Sequence, residues 1–115
     1  MECPLEYSLC DKTVTLYRKQ GDQVFRQVID GCSYVWQQAQ TAGEYGIRKH
    51  TSFSLIIPGD KTPVYPGDRV LEGVGPEQVD WAAFIPEAVW GLGEVAYVKN
   101  VYWNGKVCHV EAGRR

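Results

Sequence analysis

Residues 51–73 read TSFSLIIPGDKTPVYPGDRVLEG, and their pattern decides the fold class. Phe53, Leu55 and Ile57 fall on one side of an extended chain, with Ser52 and Ser54 on the other. That period of two belongs to a half-buried β-strand. Pro58 and Gly59 end it, because proline cannot donate to a ladder and glycine permits the turn. Tyr65-Pro66-Gly67-Asp68 reads as a type II turn with Pro66 and Gly67 at its centre. Asp68 is expected to bond to nearby backbone, as aspartate does in turns. Residues 69–72 leave as a second short strand, which Gly73 breaks.

Working outward, residues 13–18 and 23–30 form an expected hairpin around a turn at 19–22. Gly31 marks a bend before a strand over 32–37, with Cys32, Tyr34 and Trp36 sharing a face. Proline and glutamate at the start of 76–84 predict a short helix, its apolar side carrying Val79, Ala82 and Ala83. Residues 93–103 read as one long strand. Asn104-Gly105 is the clearest hairpin signal, since both centres of a type I′ turn need positive φ. Residues 106–112 return, and 113–115 read as a solubilising tail. The expected architecture is mainly β: a small antiparallel barrel or sandwich of six or seven strands with one short helix. Residues 1–12 form an N-terminal arm and 13–115 a single domain.

At 115 residues, 44% apolar and 23% charged, the chain is long and apolar enough for one self-sufficient core. Its net charge of −2 argues against binding by phosphate neutralisation. No apolar run reaches the roughly 20 residues of a membrane span, and no basic-then-apolar start suggests secretion. A reducing cytoplasm with reduced thiols is therefore expected. Cys3, Cys10, Cys32 and Cys108 form no C-x-x-C pair, and neither His50 nor His109 stands at a zinc-ligand spacing. No nucleophile–base signature, D-x-D pair or glycine-rich phosphate loop occurs. The reading is a protein that is not an enzyme and needs neither cofactor nor metal.

Two stretches are candidates for contact with partners. Residues 38–50 are polar and aperiodic: either a plain solvated loop, or a mobile one that orders against a partner through Gln40, Thr41, Gly43, Glu44, Tyr45, Gly46, Arg48 and Lys49. Trp81, Phe84 and Trp90 form either a partner surface or a lid on the core. Tyr34, Trp36, Tyr97, Tyr102 and Trp103 would suit the stacking face of a nucleic-acid-binding OB-like barrel, an alternative that the charge disfavours.

The order of motifs is similar to that of small tailed-phage and prophage neck proteins of the head–tail connector, head-closure or minor capsid type. The likeness rests on Thr-Val-Thr-Leu-Tyr at 13–17, Val-Ile-Asp-Gly-Cys-Ser-Tyr-Val-Trp at 28–36, Ser-Leu-Ile-Ile-Pro at 54–58 and Tyr-Pro-Gly-Asp-Arg-Val-Leu-Glu-Gly at 65–73. It covers residues 13–73 in motif and the last hairpin in layout. The resemblance implies a structural virion-assembly protein, arranged as copies of itself in a ring between head and tail. Its partners would be portal or adaptor proteins, tail proteins and DNA in the channel, with no membrane. It would be built in the host cytoplasm and carried in the virion. By position, residues 38–50 resemble the loop that lines or gates the channel. The aromatic segment 81–90 and the cysteine-bearing arm depart from that pattern.

Overall fold

A computed structural model describes residues 7, 10–43, 46–59 and 62–115, with backbone alone at 41 and 47–49. Most of the 1–12 arm, together with Glu44 and Tyr45, lies outside the described residues. Seven strands follow in order: β1 (Lys12–Gln20), β2 (Gln23–Gly43), β3 (Gly46–Pro58), β4 (Arg69–Glu72), β5 (Leu92–Glu94), β6 (Tyr97–Trp103) and β7 (Lys106–Arg114). All pairs are antiparallel, in the order β5-β4-β1-β2-β3-β7-β6, and the sheet curls into a half-barrel. The mainly β class is as the sequence reads.

Two corners produce the curl. β2 pairs with β1 through residues 23–32 and with β3 through 33–43, so it changes partner just after Gly31. Lys12 faces Cys32 and Val14 faces Ile29, which leaves Asp30 and Gly31 together opposite Thr13. This is a bulge; Gly31 has φ 71°, a conformation glycine adopts without a Cβ clash. The expected bend is there. The second corner corrects the single long strand expected over 93–103. β5 pairs with β4 at one edge of the sheet and β6 with β7 at the other, with only Val95 and Ala96 between them. Val95 N–H donates to Asp68 O and Ala96 N–H to Gly113 O, both at 2.8 Å. Two residues thus tie the two edges together.

The main core lies inside the curl, where Val14, Leu16, Tyr34, Phe53, Leu55, Ile57 and Val110 meet. Gly93 lies so close to the Phe53 ring that any Cβ there would strike it. A second, smaller core joins Tyr17, Phe84 and Leu92 on the outer face of β1, roofed by residues 73–91. This roof is where the expected helix fails to form. Residues 76–91 hold isolated turns, with Phe84 N–H bonded to Asp80 O and Val89 N–H to Ile85 O. Carbonyls that would extend a helix are taken from outside it. The Arg69 guanidinium donates to Trp81 O at 2.5 Å and Phe84 O at 2.7 Å. Tyr17 Oη donates to Pro76 O at 2.7 Å, and Pro86 stops any continuation.

The turn expectations hold. Asp68 N–H bonds to Tyr65 O at 3.1 Å across a turn whose Gly67 has φ 94°, and Asn104 and Gly105 have φ 50° and 79°. Gly59 and Gly73 also have positive φ where β3 and β4 have ended. Two readings are corrected. Arg114 belongs to β7 and donates to Glu94 O at 3.0 Å, so it is no loose tail. Cys108 is disulfide-bonded, contrary to four reduced thiols, while Cys10 and Cys32 are free.

Candidate interaction surface

The polar stretch 38–50 is not a loop. β2 and β3 stay in register from Ser33–Ile56 out to Gly43–Gly46, and this pairing carries the hairpin past the rest of the sheet. Backbone hydrogen bonds need no particular side chains, so a segment without hydrophobic period can still form a ladder. The inward alternation of Trp36, Phe53 and Thr51 stops at the edge of the core. Beyond it Gln37, Ala39, Gln40, Ala42, Gly43, Gly46 and His50 are exposed. Thr41 pairs with Arg48 and Gln40 with Lys49. The result is a two-stranded ribbon open to solvent on both faces.

At the foot of this ribbon the Trp36 indole N–H donates to Leu92 O at 2.8 Å, which fixes its ring. Trp90 packs on it with ring centroids 5.1 Å apart and yet stays 73% exposed. Beside the pair lies a cleft of about 240 Å³ lined by His50, Thr51, Ile85, Pro86, Glu87 and Arg114, among others. Of the three candidate partner residues, only Trp90 presents an open aromatic face. Phe84 is a core residue, edge-on to Tyr17 at 4.8 Å. The Arg69 guanidinium stacks on Trp81, 3.9 Å from the ring centre. Phe84 and Trp81 thus pack on the core as a lid would, while Trp90 lies exposed.

The aromatic set that a nucleic-acid barrel would use is also divided. Tyr34 is buried; its hydroxyl donates to Gly91 O at 2.9 Å, and desolvation holds the phenol far above its usual pKa. Tyr102 and Trp103 are exposed at the β6–β7 tip.

A second opening of about 600 Å³ lies beside the 65–68 turn and is lined by Arg18, Tyr65, Asp68 and Trp81, among others. Its Arg18 and Asp68 side chains are satisfied internally. Arg18 donates through Nε and Nη2 to the two oxygens of Asp68, at 3.1 and 2.9 Å, and stacks 4.4 Å from the Tyr65 ring centre. The Asp68 hydrogen bond is the largest cause of the raised Arg18 pKa. Asp68 also accepts from Tyr65 N–H at 2.9 Å, as its turn position predicts.

Sequence reasoning missed two groupings. Arg69, read only as a strand residue, is buried and joins β4 to Glu94 (3.4 Å) and to the roof. His109 is also buried, with Tyr7 Oη 2.6 Å from Nδ1 and Glu111 Oε1 3.1 Å from Nε2. The carboxylate only accepts, so Nε2 carries a proton and donates it to Glu111. Partners 102 residues apart leave no local signal for this contact. Among the described residues no three His, Cys, Asp or Glu side chains gather as a metal site. Comparison with protein-family models, curated proteins and solved structures gives no significant match.

Proposed function

We propose that this chain is a structural subunit of a phage or prophage neck, a head–tail connector or head-closure component that works as a ring of copies. The observation that carries the reading is the β2–β3 ribbon. It stands clear of the sheet, exposed on both faces, at the position in the chain where the resembling neck proteins carry the segment that lines the channel. A two-stranded ribbon gains little stability from itself in water, so its retention is better accounted for by contact with something else. In a ring that partner is the channel content or the next subunit, with portal or adaptor and tail proteins above and below. The Cys108 disulfide suits a released particle better than the reducing cytoplasm in which such particles are built.

The test is the DNA flanking the gene. Neighbouring reading frames for a portal, a major capsid protein and a tail tube are expected, and the order relative to the tail-tube gene separates connector from tail terminator. Flanking metabolic or RNA-processing genes would overturn the reading. Salt-dependent binding of the isolated chain to DNA or RNA would then favour the nucleic-acid barrel.

A further inference from the structure

The half of the sheet built from β3, β7 and β6 ends in two unlike aromatic patches, and its register separates them. Trp36 pairs with Phe53, Phe53 with Arg114, and the adjoining Gly113 with Tyr97, so the foot of the ribbon lies level with the start of β6. Trp103 pairs with Lys106 at the other end of the same strand. Six residue steps along a strand cover about 20 Å. One end presents Trp90, 73% exposed, and the other presents Tyr102 and Trp103, 60% and 46% exposed. A rigid sheet cannot fold its own ends together.

Each patch has beside it an exposed charge of opposite sign to the other's, Glu87 and Lys106, and the foot side also carries the exposed Arg115, which lies 5.5 Å from the Tyr97 ring centre. Exposed Glu87 lines the foot cleft and has no ion pair among the described residues. Exposed Lys106 closes the tip and likewise has none. Arg114, which lines the same cleft as Glu87, is already engaged with Glu94 at 3.3 Å. A contact between two feet would set Glu87 against Glu87, and one between two tips Lys106 against Lys106. Foot against tip joins aromatic to aromatic and sets Glu87 against Lys106, the combination that makes binding hot spots.

We propose that copies of this chain associate head to tail, the Tyr102–Trp103 tip of one seated on the Trp36–Trp90 foot of the next. Such a contact uses different surfaces on its two sides, so it repeats until it closes into a ring or runs on as a filament. The inference rests on the ring reading for its setting, and on the two patches for the contact itself.

The experiment follows sedimentation of the purified chain up to millimolar concentration, together with W90A and W103A. The wild-type chain is expected to form oligomers larger than a dimer. Each variant alone is expected to associate at least about tenfold more weakly. Mixed, they are expected to give a one-to-one dimer, since each supplies the patch that the other lacks. A W103A chain that still dimerises normally would show a foot-to-foot contact and overturn the proposal. A wild-type chain that stays monomeric, and that gives no disulfide between E87C on one copy and K106C on another, would overturn it too. Because Trp90 supports Trp36, a second set tests the charges without touching the packing. E87K and K106E alone are expected to weaken association, and their mixture to restore it. Failure here leaves the gene-neighbourhood result unaffected, so the two readings fall separately.

Discussion

Strand β1 and the outer half of the β2–β3 ribbon are both antiparallel ladders, and they differ in almost everything else. In β1 four consecutive residues, Val14, Thr15, Leu16 and Tyr17, are buried. Val14 and Leu16 enter the main core, and Tyr17 packs beneath the roof. Thr15 Oγ1 donates to Gly73 O at 2.7 Å and accepts from Gly75 N–H at 2.8 Å. In the ribbon, side chains on both faces meet water. Exchange of water bonds for ladder bonds contributes little net, whereas each large apolar side chain removed from water contributes about 1.5–3 kcal/mol. The same backbone geometry is therefore a foundation in one place and a free arm in the other.

The sharpest way to break that comparison is to cut into the covered side. Tyr17→Ala removes the ring that meets Phe84 and the hydroxyl that holds Pro76 O. It is expected to cost about 3–5 kcal/mol in urea unfolding. A loss below about 1 kcal/mol would mean that the 73–91 roof adds little and that β1 is covered without being stabilised. Next in size is Asp68→Ala, which takes the carboxylate from the Arg18 guanidinium at the hairpin end of β1, leaving it Pro63 O, and frees Tyr65 N–H. The Arg18 side chain is 23% exposed, so water screens part of the pair. About 2 kcal/mol is expected, less than for a fully buried ion pair. Unfolding curves that superpose on the wild type would remove this pair from the account.

Cys32 lies at the corner where β2 leaves β1, fully buried, and desolvation first of all raises its thiol pKa from 9.0 to about 11. The folded thiol keeps its proton to higher pH than the unfolded one does. Unfolding then releases a proton between pH 9 and 11, so stability is intact below pH 9 and falls as pH rises through that window. At pH 10 the loss is expected to be about 1 kcal/mol. Cys32→Ala should flatten the profile from pH 9 to 10 on top of a constant packing cost. An unchanged slope would place the titrating group elsewhere.

The covered region was also the legible one. Phe53, Leu55 and Ile57 alternate because one face is buried, and Gly31, Gly67 and Asn104-Gly105 stand where the backbone needs positive φ. Residues 38–50 carry no such mark, because a ribbon wet on both faces places no demand on its side chains. The 76–84 turns were illegible for the opposite reason. Their local signals favour a helix, but Arg69 and Tyr17, distant in sequence, take the carbonyls that a helix would extend through. Of the candidate contact residues, Trp90 and Phe84 differ only in what folds over them. That is fixed by the whole roof and not by their neighbours.

The smallest expected effect tests the other side of the comparison. Gln40 and Lys49 face each other across the ribbon, so residues 41–48 can be replaced by Asn-Gly, a two-residue type I′ turn that keeps the remaining register. The trimmed chain is expected to unfold within about 0.5 kcal/mol of the parent, because Ala42, Gly43 and Gly46, the lost residues described in full, are exposed. A loss above about 2 kcal/mol would show the ribbon packing where its exposure says it does not, and the contrast with β1 would fail. If stability holds, particle completion becomes informative. A fold that is whole without the ribbon, in a particle that is not, would place the ribbon's role outside its own chain. Normal particle yield would remove the ribbon from that mechanism while leaving the fold as described.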